Sequence, residues 1–421
     1  MTLPASIRFT SVFLLMLILF QSLSYAQNRT FSVRSRLFPV GPNPSAIVVH
    51  DMNDNGILDI ITADRGELVD VREERPANDE LSLLVGQGDL NYIKHHPSLK
   101  TGFAPYAIAI ANIDAIRWPD IIVTSFHAVR GRHISLFLNL HHENVFQPVN
   151  ISIPEDGLGY YRHLDSDHSP LFTKPGLTSL AVRDINNDGY RDIIATGWSS
   201  DVIVYLPGQA DNFFGEPSFI SARGGPRDLQ LADLNGNGHL DIVSTLYSSD
   251  EVAFWQGDGR GNFTKTNRFQ TRGRLPNKVR VADMNGNGRL DIIIGHRHTD
   301  DSIVIFYNDG NMQFSTSQEI MLGTDREILE HDIRDIVIAD LDNNGRMDIA
   351  AACSASAKIV ILLNQTSGNN GGITVRREDY SFPEGTPHAL AAGDLNNNGR
   401  IDLAVTLWDV NAVGILINQG Q

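Results

Sequence analysis

The stretch DINNDGYRD, Asp184 to Asp192, carries oxygen-bearing side chains at alternate positions: Asp184, Asn186 and Asp188 stand at one, three and five, and Asp192 at nine. A hard cation such as Ca2+ takes about six to eight oxygens, and a short loop supplies them by turning every second side chain inward. Gly189 at six permits the sharp turn that brings the carbonyl of Tyr190 and the carboxylate of Asp192 toward the same ion. The spacing begins like an EF-hand loop, but that loop needs a Glu at twelve, where this chain has Ala195. The run Ile193-Ile194-Ala195 suits a buried strand, so the stretch reads as a calcium loop joining two strands.

The pattern recurs in register. It is carried by Asp51, Asn53, Asn55 and Asp59; by Asp233, Asn235, Asn237 and Asp241; and by Asp283, Asn285, Asn287 and Asp291. Two more copies are Asp340, Asp342, Asn344 and Asp348, and Asp394, Asn396, Asn398 and Asp402. A decayed copy, Asn112 to Asp120, keeps Asp114 and Asp120 but has Ile116 at five and Arg117 in place of the glycine, and is expected to hold no ion. One such stretch could be an Asn-Gly or Asp-Gly hairpin turn. Six in register argue for metal loops, hence for about six structural Ca2+ sites.

The metal loops also account for much of the charge. The formal net charge is −16, and fourteen aspartates stand at ligand positions of the six intact loops. The excess of acid speaks against a nucleic-acid partner. Residues 1–26 read as a secretory signal: Arg8, an apolar run from Val12 to Phe20, then the small residues around Ala26. A soluble, exported, monomeric protein (periplasmic in a bacterium) is therefore expected, in a compartment where calcium matches weak sites. The single cysteine, Cys353, allows no intrachain disulfide and reads as a buried small residue. Sequons stand at Asn28, Asn150, Asn262 and Asn364.

Around the loops the elements repeat. The first positions, 51, 112, 184, 233, 283, 340 and 394, lie roughly 50 to 70 residues apart, a repeat architecture. In each unit an alternating strand leads in, an apolar strand such as DIIAT leads out, a third strand such as VIVYL (202–206) follows a polar turn, and an aromatic such as Phe263 or Phe314 opens a fourth. Four antiparallel strands in each of seven units predict an all-β, seven-bladed β-propeller spanning 27–421. The last unit ends without a fourth strand, and Thr30 to Val40 is expected to supply it and clasp the ring.

On these loops and their strand context, residues 30–421 resemble the FG-GAP/VCBS-repeat propellers, which include the integrin α-chain head and integrin-like fungal lectins. The Phe-Gly and Gly-Ala-Pro signatures are largely missing, and no leg domain or anchor follows, so an integrin is not implied. The resemblance implies calcium binding and a recognition or adhesion role; such folds also carry polysaccharide lyases.

Strand parity puts the acidic loops on one face and the second-to-third loops and blade-to-blade links on the other, where long segments fall: 65–80, 147–177, 315–334 and 371–388. The third-to-fourth turns, on the acidic face, read as short. Function is expected on the face with the long loops. Six residues after each closing Asp stand Arg65, Phe126, Trp198, Tyr247, Arg297, Ser354 and Trp408. Aromatic faces pack on sugar rings and arginine forks bind carboxylates, so this ring is a candidate site for a carbohydrate or an extracellular protein; the plainer reading has these residues capping each blade's core. His163, Asp165, Asp167 and His168 could serve acid–base or metal chemistry in a lyase or hydrolase, against the plainer reading of a solvated loop. His296-Arg297-His298 is a possible metal pair without a third ligand. An interaction scaffold with no small ligand is the remaining alternative.

Overall fold

The computed structural model describes residues 29–66, 78–114, 116–127, 132–141, 143–154, 176–210, 213–298, 302–322, 332–368 and 371–420. The leader 1–26 and the insert 160–168 lie outside them.

Each second strand is a continuous apolar run because both its faces are covered. Asp192–Gly197, Asp241–Leu246, Asp348–Cys353 and Asp402–Leu407 are buried at every residue. Alternate residues then serve different neighbours. In Asp348–Cys353, Ile349, Ala351 and Cys353 pack toward Ile303 and Ile305, whereas Ala350 and Ala352 pack toward Leu403 and Val405. The core is thus a set of layers between sheets, and no sheet is stable alone.

The sheets are seven four-stranded antiparallel blades. Their first strands are Pro44–His50, Phe103–Ala111, Leu177–Arg183, Pro226–Ala232, Arg274–Ala282, Ile333–Ala339 and Pro387–Gly393. Each of these touches the next, and the last touches the first, so they line a central channel. This is the seven-bladed propeller expected from the repeats.

The chain's N-terminal segment closes the ring. Phe31–Val33 pairs antiparallel with Ala412–Asn418, setting Phe31 opposite Asn418 and Val33 opposite Leu416. Phe38–Pro39 continues the same edge opposite Val413 and Ala412. Phe31 is buried, its ring meets Tyr380 edge-on at 6.0 Å, and its N–H donates to the Tyr380 hydroxyl at 2.9 Å.

Three features depart from the sequence expectation. The third-to-fourth turn of blade three carries a small hairpin, Gly208–Gln209 with Phe213–Phe214, so these turns are not all short. The fourth strand of blade one is split into Tyr92–Lys94 and Leu99–Lys100. Three segments read as long overlap the outer strands Val145–Ile151, Thr316–Met321 and Val375–Tyr380. Cys353 is buried, as expected. Asn364 is buried too, its amide donating to the Met284 carbonyl at 2.8 Å, so that sequon is closed in the folded protein, while Asn150 and Asn262 are exposed. Among the described residues no helix is long and apolar enough to cross a membrane.

Candidate functional site

The six intact acidic loops share one backbone. Position-one oxygens accept N–H groups from positions five and six: Asp340 from Asn344 at 3.0 Å and Gly345 at 2.8 Å, Asp394 from Asn398 at 2.9 Å and Gly399 at 2.7 Å. Position six is a left-handed glycine, for example Gly189 at φ 93° and Gly345 at φ 83°. Position four is left-handed as well, at Asp54, Asn187, Gly236, Gly286, Asn343 and Asn397, which explains why only Asp, Asn and Gly stand there.

The donor set suits a hard cation. Asp340, Asp342 and Asp348 each bring one oxygen within 4.8 Å of the others, and the position-three oxygen of Asn53 is buried without a hydrogen-bond partner. Burial, with Asp342 and Asp340 nearby, pushes the Asp348 carboxyl up to about 7 despite two backbone hydrogen bonds.

Position nine has a second duty. In all seven blades its carboxylate is buried and joins the loop to the end of the third strand. Asp192 accepts from Ile185 N at 2.8 Å and Gly208 N at 2.7 Å; Asp402 accepts from Leu395 N at 3.1 Å and Asn418 N at 2.7 Å. Asp120 of the decayed loop does the same with Ile113 N at 2.7 Å and Asn139 N at 2.8 Å, so the staple persists where Ile116 and Arg117 break the loop pattern. In that loop Arg117 pairs with Asp54 of the neighbouring blade.

At the far ends of the second strands the structure gathers the other candidate residues. Arg65, Phe126, Trp198, Arg297, Ser354 and Trp408 line one cavity of about 410 Å³ at the channel mouth. Tyr247 is the exception; it stands behind, edge-on to Trp198 at 6.1 Å. Phe126 stacks on Trp198 at 6.3 Å.

A second ring, missed in the sequence, completes the cavity. Arg227, Arg334 and His388 line the same wall. They sit six residues before the first loop position of their blades, in register with Ser45, Tyr106, Thr178 and Asn277. Pro44, Pro105, Pro226, Pro276 and Pro387 precede five of these positions, which was the available signal. The register has a reason: strands one and two are antiparallel, so six residues before the loop and six after it meet at one end. Below, a channel cavity of about 310 Å³ shares Arg227, Arg334 and His388 with the mouth.

The mouth is crowded with positive charge. Arg297 holds Asp332 through two bonds at 2.7 and 3.3 Å, and Arg334 reaches the same carboxylate at 2.5 Å. Arg65 lies 4.8 Å from the Phe126 ring centre and 5.3 Å from that of Tyr106; Arg227 lies over Tyr106, Trp198 and Tyr247. Burial, joined by Arg227, Arg334 and Arg297, lowers Arg65 to about 10. Burial pushes the Tyr106 phenol up, but Arg227, Arg65, Lys278 and Arg297 together outweigh it and bring it down to about 8. Burial, with Arg334, Arg65, Lys278 and Arg297, holds His388 well below its ordinary value, neutral and stacked on Trp408 at 4.5 Å. Deeper in the channel charge is balanced, with Arg280 bridging Asp228 at 2.9 Å and Asp335 at 2.8 Å.

In the His296-Arg297-His298 stretch, His296 is buried with Nδ1 3.0 Å from the Ser302 carbonyl and Arg297 is turned to Asp332, while the side chain of His298 lies outside the described residues. His133 is buried and accepts from Ile153 N at 3.0 Å.

The sequence profile of the FG-GAP-like repeat matches residues 184–244, 233–294, 283–351 and 340–405, more than half of the chain. The chain belongs to the FG-GAP repeat family. No curated protein matches the sequence. Among solved structures this FG-GAP propeller is similar to BBS1N, crystallised in complex with ARL6DN, at 13% identity over 92% of this chain and 97% of that one, with a TM-score of 0.59. It is similar to an Agrocybe aegerita lectin, described as recognising non-reducing terminal N-acetylglucosamine, at 16% identity over 87% and 86%, with a TM-score of 0.50. It is similar to virginiamycin B lyase from Staphylococcus aureus at 11% identity over 92% and 99%, with a TM-score of 0.55. At these identities the likeness is one of fold.

Proposed function

We propose that this propeller is an exported recognition module: Ca2+ in the acidic loops stiffens one face, and the opposite face binds a negatively charged carbohydrate. The observation that carries the reading is the mouth cavity, where flat aromatic walls and arginine forks converge in about 410 Å³. Aromatic faces take the C–H side of a sugar ring, and guanidinium groups take its acidic substituents. An acidic protein surface would meet the same groups, but the cavity is concave and narrow, which favours a small unit. Export rests on the leader and on oxygen-rich loops suited to millimolar calcium.

A glycan array of neutral and acidic sugars, read with calcium present, tests this. Binding confined to acidic glycans and lost in Trp198→Ala and Trp408→Ala is expected. A folded protein that captures no glycan sinks the carbohydrate reading.

A second reading has its own observation. The Tyr106 hydroxyl sits among guanidinium groups, an arrangement that could remove the proton next to a carboxylate, as a polysaccharide lyase must. An activity screen on acidic polysaccharides with Tyr106→Phe as control tests it; turnover that survives the substitution removes Tyr106 from the reaction.

A further inference from the structure

The mouth holds more positive charge than its surroundings balance. Four guanidinium groups, those of Arg65, Arg227, Arg297 and Arg334, line it, and among the described residues one carboxylate, Asp332, pairs with any of them. His388 adds no charge, being held neutral by burial and by the same arginines. Among the described residues the excess is three positive charges, in a chain whose formal net charge is −16. The pairs deeper in the channel, Arg280 and Lys278 with Asp228 and Asp335, lend nothing because they are satisfied among themselves.

Two of the guanidinium groups also have donors to spare. The Nε atoms of Arg65 and Arg334 are buried and without a hydrogen-bond partner. A buried donor left unpaired is costly, and a site that keeps two of them beside mutually repelling charges is organised for a ligand that supplies acceptors. Cation–π contacts hold Arg65 and Arg227 in place by their faces. Arg227 also donates to the Tyr106 hydroxyl and, at 3.4 Å, to Asn277 Oδ1, so its remaining N–H groups and the edge of Arg65 face a ligand. A single carboxylate brings one negative charge and leaves two positive charges uncompensated. A group with two charges cancels most of the excess and offers at least three oxygens to the forks.

Resting on the recognition reading above, we propose that the mouth selects a sugar residue bearing two negative charges, either as one phosphate monoester or as a sulfate and a carboxylate on the same residue. Phe126, Trp198 and Trp408 pack the ring, and Arg65, Arg227 and Arg334 take the oxyanions. At about 410 Å³ the cavity is at the small end of ligand pockets, so the unit recognised is short.

Calorimetric titration of the full chain with five probes tests this: a neutral hexose, the matching uronate, the hexose phosphate, a sulfated uronate, and inorganic phosphate alone. The expected result is at least about tenfold tighter binding of a doubly charged sugar than of the uronate, with inorganic phosphate weaker than the sugar phosphate. Which doubly charged sugar binds more tightly tells phosphate from sulfate chemistry. Arg65→Gln and Arg227→Gln should each shrink that preference with little change in melting temperature, and the slope of affinity against salt should fall by about one for each charge removed. Uronate binding as tightly as the doubly charged sugars overturns the charge preference and leaves the recognition reading standing. Inorganic phosphate binding as tightly as the sugar phosphate overturns the part played by the aromatic walls. No binding of any sugar overturns both readings.

Discussion

The hydroxyl of Tyr106, on blade two, accepts a hydrogen bond from the guanidinium of Arg227, on blade four, across the channel and past blade three. The two side chains join non-adjacent blades at the floor of the mouth, where Tyr106 stacks on Phe126 and Arg227 lies over Trp198. An acidic proton placed against several fixed cations must answer to pH.

The first prediction follows from that proton. With its folded value near 8 and an ordinary value of 10.0, Tyr106 ionises more readily in the folded protein than in the unfolded chain. Its contribution to stability is therefore absent below about pH 8 and grows as pH rises toward 10. Ultraviolet titration should show one phenolate forming near pH 8, missing in Tyr106→Phe. Above that pH the phenolate competes for the arginines, so affinity for an anionic sugar should drop in the wild type and stay level in the variant. A wild-type phenolate titration beginning only near 10 would contradict this.

Asp64 gives the opposite dependence. It is buried at the end of the second strand of blade one, accepting from Ser82 Oγ at 2.6 Å, Thr62 Oγ1 at 2.7 Å and Gly41 N at 3.1 Å. Burial outweighs these bonds and raises its carboxyl to about 6. The folded state then holds the proton more tightly than the unfolded chain, so this contribution is full below about pH 4 and is lost as pH climbs through 6. It amounts to up to about 3 kcal/mol. Asp64→Asn should flatten that slope in denaturant titrations across this window, and an unchanged slope would show that Asp64 ionises without penalty.

The position-nine staple can be tested apart from metal. Asp120 closes the decayed loop and satisfies the buried N–H of Asn139 and the half-buried N–H of Ile113. Asp120→Ala should destabilise the protein by about 2 to 4 kcal/mol, because each orphaned group costs about 1 to 3 kcal/mol less whatever relaxation recovers. The loss should be the same with and without chelator. A loss seen only in the presence of calcium would assign Asp120 to an ion instead.

Calcium itself is expected to stabilise by binding the folded loops and not the unfolded chain. A chelator should lower the melting temperature by several degrees, and restored Ca2+ should return it. The loops with a third carboxylate, Asp188 and Asp342, should lose their ions last; Asp188→Asn should remove one of the late-released equivalents in metal analysis. A melting curve indifferent to both treatments counts against metal in these loops.

Much of this was legible in the sequence because the repeats make each observation seven times over. Third strands such as Val202–Leu206 fell where their apolar runs put them, and the aromatic and arginine ring followed from counting six residues past each closing Asp. Arg227, Arg334 and His388 escaped because one isolated arginine or histidine, after a proline at Arg227 and His388 and after Ile333 at Arg334, says nothing until the register of first and second strands is imposed. The double duty of Asp59, Asp192 and their equivalents was hidden for another reason: a carboxylate that caps backbone N–H groups and one that faces a cation leave the same letter in the chain. The hairpin at 208–214 was missed because Gly208, Gln209, Phe213 and Phe214 make two strands too short for any periodicity.

The pairing of Phe31–Val33 with Ala412–Asn418 sets an order of events. During synthesis six blades can assemble behind the ribosome, but the seventh waits for residue 418 to emerge. Until then the earliest-made strand has no partner, and the first and sixth blades present bare edges. A chaperone acting on that interval would meet an open arc rather than a ring, and a chain cut short before residue 412 would lack the strand that Phe31–Val33 locks against.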